Sequence, residues 1–189
     1  MPLAASLGDP AGVGPELLAE AWSRRKEAAL APFFAVGGAQ VLAAAADMRG
    51  IELRVIPIDD PAQAPAAFAQ GLPVWGEEDG VYRPGDPGSD GAILALASLT
   101  QAARLAVQGR ASAIVTGPIA KSRLAEVGFD HPGQTEFVAA ACGFAADDAV
   151  MMLAGPQLRT VPLTVHTALS RVPALLTTCL LYTSDAADE

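Results

Sequence analysis

Four short stretches carry residues whose types and spacing could do chemistry. The stretch "VPLTVHTALSRVP" sets His166 directly after an apolar run. A neutral imidazole is a good metal ligand, and open α/β sheets place their ligands at the carboxyl ends of strands. One histidine is not a site, however, because catalytic zinc and similar ions take three protein ligands in most cases. The second histidine, His131, precedes a proline in a loop and reads as a packed or surface residue. The stretch "HPGQTEF" puts Gln134, Thr135 and Glu136 just after Gly133, where a helix should start. Gln and Thr side chains beside free backbone N–H groups can bind phosphate oxygens, although Thr135 could serve equally as a plain N-cap. In "VTGPIAK", Lys121 falls in a first helical turn, where the helix dipole disfavours a cation. It reads either as a phosphate or carboxylate donor or as a solvated lysine. The stretch "GDPAGVGPE", residues 8–16, has three glycines and two prolines before a helix, so its backbone can approach a ligand closely. It matches neither G-x-G-x-x-G nor G-x-x-x-x-G-K-[ST], and a tight strand-to-helix turn accounts for it as well.

The elements that must position these residues alternate. Residues 3–7 read as a short buried strand that ends at the glycine-rich turn. A helix starts near Pro15 and Glu16 and keeps its period through "ELLAEAWSRRKEAAL". Then come a strand at "FFAVGG", a helix at "AQVLAAAADMRG" and a strand at "IELRVIPI". Strands and helices at this spacing predict βαβ units and a parallel sheet. Residues 59–91 are rich in Pro, Gly, Asp and Glu and read as a surface excursion with one strand candidate at "GLPVW". The stretch "SDGAILALASLTQAARLAVQGR" predicts a long helix, capped by Ser89 or Asp90 and ended by Gly109. A buried strand at "ASAIVTGP" follows, then short helices at "IAKSRLAEVG" and "QTEFVAAACG". Two strands at "AVMMLAG" and "LRTVPLTVH" join by a turn at Gly155 and Pro156.

Composition narrows the function classes. The chain has 189 residues, 51% hydrophobic and 5% aromatic, and a formal net charge of −9. That length suits one domain or one and part of a second, with a sizeable core. The acidic balance argues against nucleic acid or an anionic membrane as partner, since both demand clustered Lys and Arg. Two cysteines give neither a disulfide framework nor a zinc spacing, so a reducing cytoplasm is expected. No secretory signal and no membrane-spanning run is expected.

Taken in order, "SLGDPAGVGPE", "VTGPIAK", "GFDHPGQTEFVA" and "VMMLAGPQLRTVPLTVHTALSRVP" resemble the 4-hydroxythreonine-4-phosphate dehydrogenase family of vitamin B6 biosynthesis, over residues 3–178. The resemblance implies an α/β class, an α/β/α sandwich like that of isocitrate and isopropylmalate dehydrogenases, with two domains around a cleft and a homodimer. It implies an oxidoreductase that uses NAD, or NADP, to oxidise 4-phosphohydroxy-L-threonine, a phosphorylated hydroxy amino acid, to a β-keto acid that loses CO2. A divalent metal (Zn, Mg or Co) would stabilise the charge that develops. Carried over by position, His166 is a metal ligand, Gln134 and Thr135 are the substrate pair, and Lys121 is a further substrate contact. Gly12 and Gly14 fall in the cofactor-side turn. The family's histidine at the substrate pair is here Gln134, which can donate a hydrogen bond but cannot shuttle a proton. The other metal histidines of the family, its later substrate residues and most of its NAD site have no counterpart among these 189 residues.

The last eleven residues, "CLLYTSDAADE", leave the family pattern. Back-translated, they resemble a transposon adapter used in sequencing libraries. The expected division is therefore an N-terminal dehydrogenase portion at residues 1–178 and a non-native tail at 179–189, the fragment itself being inactive. Two other functions stay open: a dehydrogenase of threonate or erythronate 4-phosphate, and a non-catalytic module that binds phosphorylated ligands.

Overall fold

The computed structural model describes residues 1–145, 148–165 and 167–185. His166 lies outside the described residues. The chain begins β1 (Leu3–Ser6), α1 (Gly14–Ser23), β2 (Phe33–Val36), α2 (Ala39–Met48) and β3 (Val55–Ile58). A 3₁₀ turn at Pro61–Gln63 leads into α3 (Ala64–Phe68) and β4 (Leu72–Trp75). The long α4 (Ser89–Val107) then crosses to β5 (Ile114–Val115). After it come α5 (Lys121–Glu126), α6 (Gln134–Ala141) and a hairpin of β6 (Leu153–Ala154) and β7 (Arg159–Thr160). A 3₁₀ turn at Leu169–Arg171, α7 (Val172–Leu175) and α8 (Thr178–Asp185) close the described chain.

The five strands form one sheet in the order β3-β4-β2-β1-β5, with every pair parallel. The period-two alternation of the strands divides the core between the two faces. Ala5, Leu7, Phe33 and Ala35 face Leu18 and Trp22 of α1 and Val41 and Leu42 of α2. Ala4, Phe34 and Val36 face Ala102 and Leu105 of α4. A second face of α4, carrying Ala92, Ala95 and Leu99, meets Leu124 and Phe129. The result is the expected α/β/α sandwich.

Several expectations need correction. The helix predicted to run to residue 30 stops at Ser23. Its buried stripe, Leu18, Ala19 and Trp22, would continue onto Arg25 and Lys26, which the core cannot accept. Residues 59–91 are not all surface. Phe68, Leu72 and Val74 belong to the core, and β4 lies second from the sheet edge. The strand expected at "GLPVW" is present as β4, although a proline has no N–H for the ladder. Here Pro73 precedes the β2 pairing, which starts at Val74. The strand at "ASAIVTGP" is an edge of two residues with Val115 half exposed, rather than a buried strand. Helix α4 starts after Gly88 with no side-chain cap, so neither Ser89 nor Asp90 caps it.

Candidate functional site

The site is built where the adjacent parallel strands β1 and β5 end. Both strands run straight into glycine loops, and the two loops touch. Gly8 has φ +74°, and a Cβ there would stand 2.7 Å from the Pro118 carbonyl oxygen. A Cβ on Gly117 would stand 2.7 Å from the Gly8 nitrogen. Only glycine fits either position, by sterics at both and by backbone conformation at Gly8. The contact is hydrogen-bonded as well. The Asp9 amide donates to the Pro118 carbonyl at 2.9 Å, and the Gly117 amide donates to Ser6 Oγ at 3.0 Å.

Within the first loop, the buried Asp9 organises its own turn. Its Oδ1 accepts from the Ala11 amide at 2.8 Å, and its carbonyl accepts from the Gly12 amide at 2.9 Å. Gly14 is pressed onto β1, for a Cβ there would lie 2.5 Å from the Leu7 carbonyl oxygen. Gly12 is half-buried and Gly14 fully so. Both glycines therefore have structural work in the turn, and neither reaches the cavity described below.

A strap at residues 76–88 holds this turn from outside. The Glu78 carbonyl accepts from the Gly38 amide at 2.8 Å. Asp79 accepts from the Gln40 amide at 2.8 Å and so supplies the cap that Gly38 cannot give α2. The Gly85 amide donates to the Ala11 carbonyl at 2.8 Å. Tyr82 donates its hydroxyl to Glu16 Oε1 at 2.7 Å, while Arg49 Nε stands 3.5 Å from Glu16 Oε2. Burial first, and then the Glu16 carboxylate, push the Tyr82 phenol up to about 12.

The third component is α6. Its first residue, Gln134, sends Nε2 to the Gly117 carbonyl at 2.9 Å. Lys121, the first residue of α5, brings its ammonium to the same corner: a Cβ at Gly133 would lie 3.6 Å from Lys121 Nζ and 2.9 Å from Glu136 Oε2. Gln134 and the exposed Thr135 line a cavity of about 450 Å³, together with Thr116, Val138, Cys142 and Val150. The sequence-predicted Gln134 and Thr135 thus line one cavity beside the Gly117 loop, whereas Lys121 reaches the start of α6 at Gly133 and is not among the residues lining that cavity. Thr135 does not cap α6, whose N-cap is Gly133. Thr116 and Cys142 were not anticipated; the only signal for Thr116 was its place directly after a strand. His131 packs between Phe129 and Phe137, with ring centroids 5.5 and 5.4 Å away. It is held as a packed residue, as its place before a proline implied.

A separate cavity of about 290 Å³ lies between Pro10, Ala11 and the start of α4, with Arg83, Asp86 and Asp90 on its wall. Among the described residues, no group of three or more His, Cys, Asp or Glu could hold a metal ion. Among them, too, no helix is long and apolar enough to cross a membrane.

Residues 29–185 match the family described as pyridoxal phosphate biosynthetic protein PdxA. The chain is 57% identical over 180 residues to the 4-hydroxythreonine-4-phosphate dehydrogenase of Erythrobacter litoralis (strain HTCC2594), covering 95% of this chain and 54% of that protein. It is 53% identical over 166 residues to the enzyme of the same name from Zymomonas mobilis, covering 87% and 48% of the two chains. A crystal structure of a 4-hydroxythreonine-4-phosphate dehydrogenase from Burkholderia phymatum superposes with a TM-score of 0.86 at 26% identity, over 97% of this chain and 56% of that one. The chain spans about half the length of the curated relatives it matches.

Proposed function

This chain belongs to the PdxA family of pyridoxal phosphate biosynthetic proteins, and we propose that it is the substrate-anchoring portion of a dehydrogenase acting on 4-phosphohydroxy-L-threonine. The observation that carries the reading is the pairing of Gln134 and Thr135 on one cavity beside the Gly117 loop, at the carboxyl edge of a parallel sheet, with the Lys121 ammonium near Gly133 at the α6 N-terminus. The Thr135 hydroxyl and the Lys121 ammonium are suited to phosphate oxygens, and the α6 N-terminus adds a favourable dipole. Gln134 lines the same cavity and holds no titrating proton, so proton transfer falls to another group.

The intact enzyme would use NAD or NADP as oxidant and a divalent ion to stabilise the developing alkoxide. The described residues do not fit the metal by themselves, since no three-ligand group is present among them. His166 remains the one ligand proposed from this chain. The glycine turn does not fit as a pyrophosphate cradle either, because Asp9 already takes the Ala11 and Gly12 amides. Gly12 is half-buried and Gly14 buried, so Gly14 in particular is poorly suited to a cofactor contact. No chemical step is therefore routed through either group. A cytoplasmic homodimer completes the proposal.

A second reading, oxidation of threonate or erythronate 4-phosphate, is favoured by one observation. Gln134 stands where the family's histidine is expected, which changes the polar group beside the substrate. One experiment separates these readings. The chain is joined to the remaining half of a relative and assayed for NADH formation with each phosphorylated acid and a divalent metal. The expected result is turnover of 4-phosphohydroxy-L-threonine by the completed enzyme and none by the 189-residue chain. NADH production by the chain alone, or by the completed enzyme only from the sugar acids, overturns the proposal.

A further inference from the structure

We infer that Gln134 is a positioning residue, which fixes the Gly117 loop against α6 so that Thr116 and Thr135 stand at a set distance across one cavity. The inference rests on the proposed phosphate-binding role of that cavity and adds a division of labour within it. Gln134 opens α6, yet its side chain does not cap that helix, which has no side-chain cap at all. One of its two amide hydrogens goes to the Gly117 carbonyl at 2.9 Å. That hydrogen holds the loop rather than a ligand, whatever the second one does. The loop that receives it is already tied on its other side. The Gly117 amide donates to Ser6 Oγ, and the next carbonyl, that of Pro118, accepts the Asp9 amide. A continuous path of hydrogen bonds therefore runs from α6 through the 116–118 loop to the glycine turn that opens α1. Thr116 sits at the start of that loop and Thr135 follows Gln134, and both line the cavity. The Gln134 amide is the side-chain bond that links the two segments bearing them.

The test separates holding from binding. Native-state hydrogen exchange reads the Asp9 and Gly117 amides, and sulfate, a permanent dianion, serves as the probe of the cavity. Gln134→Met keeps the length and removes the donor, so the Asp9 and Gly117 amides should exchange at least about tenfold faster, and sulfate should bind about tenfold more weakly. The Ala4 and Ala35 amides in the sheet should exchange as before. Gln134→His supplies an N–H of similar reach and should restore both readouts. Thr135→Val should lose sulfate binding while leaving Asp9 and Gly117 exchange unchanged. Gln134→Glu, whose ionised carboxylate has no proton to donate at neutral pH, is the second variant and should match Gln134→Met. Wild-type exchange at Asp9 and Gly117 in both donorless variants, or no rescue by histidine, overturns the inference. If wild-type protein binds no sulfate while the donorless variants still free the two amides, the positional role stands and the phosphate reading of the cavity falls.

Discussion

Residues 3–115 and residues 116–185 are organised differently. The first region contains all of the two core clusters that sandwich the sheet. In the second, among the described residues, the buried apolar side chains are Leu124, Phe129 and Ala139. The hairpin of β6 and β7 is exposed along its length, with Leu153 and Leu158 in solvent. The candidate site straddles this boundary. Its rigid wall, Gly8 against Gly117, is anchored to the sheet. Its polar face, Gln134 and Thr135, belongs to the sparsely packed side. Rigidity and ligand-facing chemistry are thus supplied by different parts of the chain, joined by a few backbone-directed hydrogen bonds.

The largest effects should fall on the first region. Phe34 is fully buried against Val36 and α4, so Phe34→Ala should cost about 3–5 kcal/mol. Leu158→Ala, in the exposed hairpin, should stay within about 0.5 kcal/mol. Urea unfolding of both variants measures the difference, and similar losses would erase the contrast between the two regions.

A smaller effect separates buried from exposed hydroxyls. Ser98 Oγ accepts from the Leu7 amide at 2.8 Å and donates to the Val36 carbonyl at 2.6 Å. It joins β1 and β2 where the two strands end. Ser98→Val removes both bonds and should cost about 1–3 kcal/mol in all. Thr100 makes one bond to the Leu96 carbonyl on the exposed side of the same helix, so Thr100→Val should be close to neutral. Equal losses in denaturant midpoint would show that the stitching by Ser98 is idle.

The sequence made much of the first region readable and much less of the second. Buried strands and the amphipathic α1, α2 and α4 announce themselves because their apolar residues recur with the right period. Gly8 and Gly117 were visible as turn glycines, but their mutual contact was not, since it joins positions more than a hundred residues apart. The strand at "GLPVW" was legible despite Pro73, but its place inside the sheet was not, because the polar, Pro- and Gly-rich residues around it read as surface. Gln134, Thr135 and Lys121 were identified by motif, but the bond from Gln134 to Gly117 needed the fold. Asp79, Tyr82 and Ser98 could not be found at all. Their partners are backbone groups or side chains distant in sequence, and no periodicity marks such a residue.

The smallest expected effect tests how the strap at residues 76–88 is fastened. Tyr82→Phe removes the hydroxyl that donates to Glu16 and leaves the ring in place, so the loss should be about 0.5–1.5 kcal/mol at neutral pH. The pH dependence gives a second, independent reading. The folded phenol is pushed up to about 12 from an ordinary 10.0, mainly by burial and then by Glu16. The native chain therefore keeps this proton at pH values where the unfolded chain has begun to lose it. The contribution to stability is present in full below pH 10 and is lost as pH rises towards 12. Wild-type stability should thus fall more steeply than that of Tyr82→Phe between those values, and the two curves should converge. Parallel curves would mean that the Tyr82–Glu16 bond is not formed in solution. The strap would then depend on the Glu78, Asp79 and Gly85 contacts, and the glycine turn would be held less firmly than the rest of the rigid half.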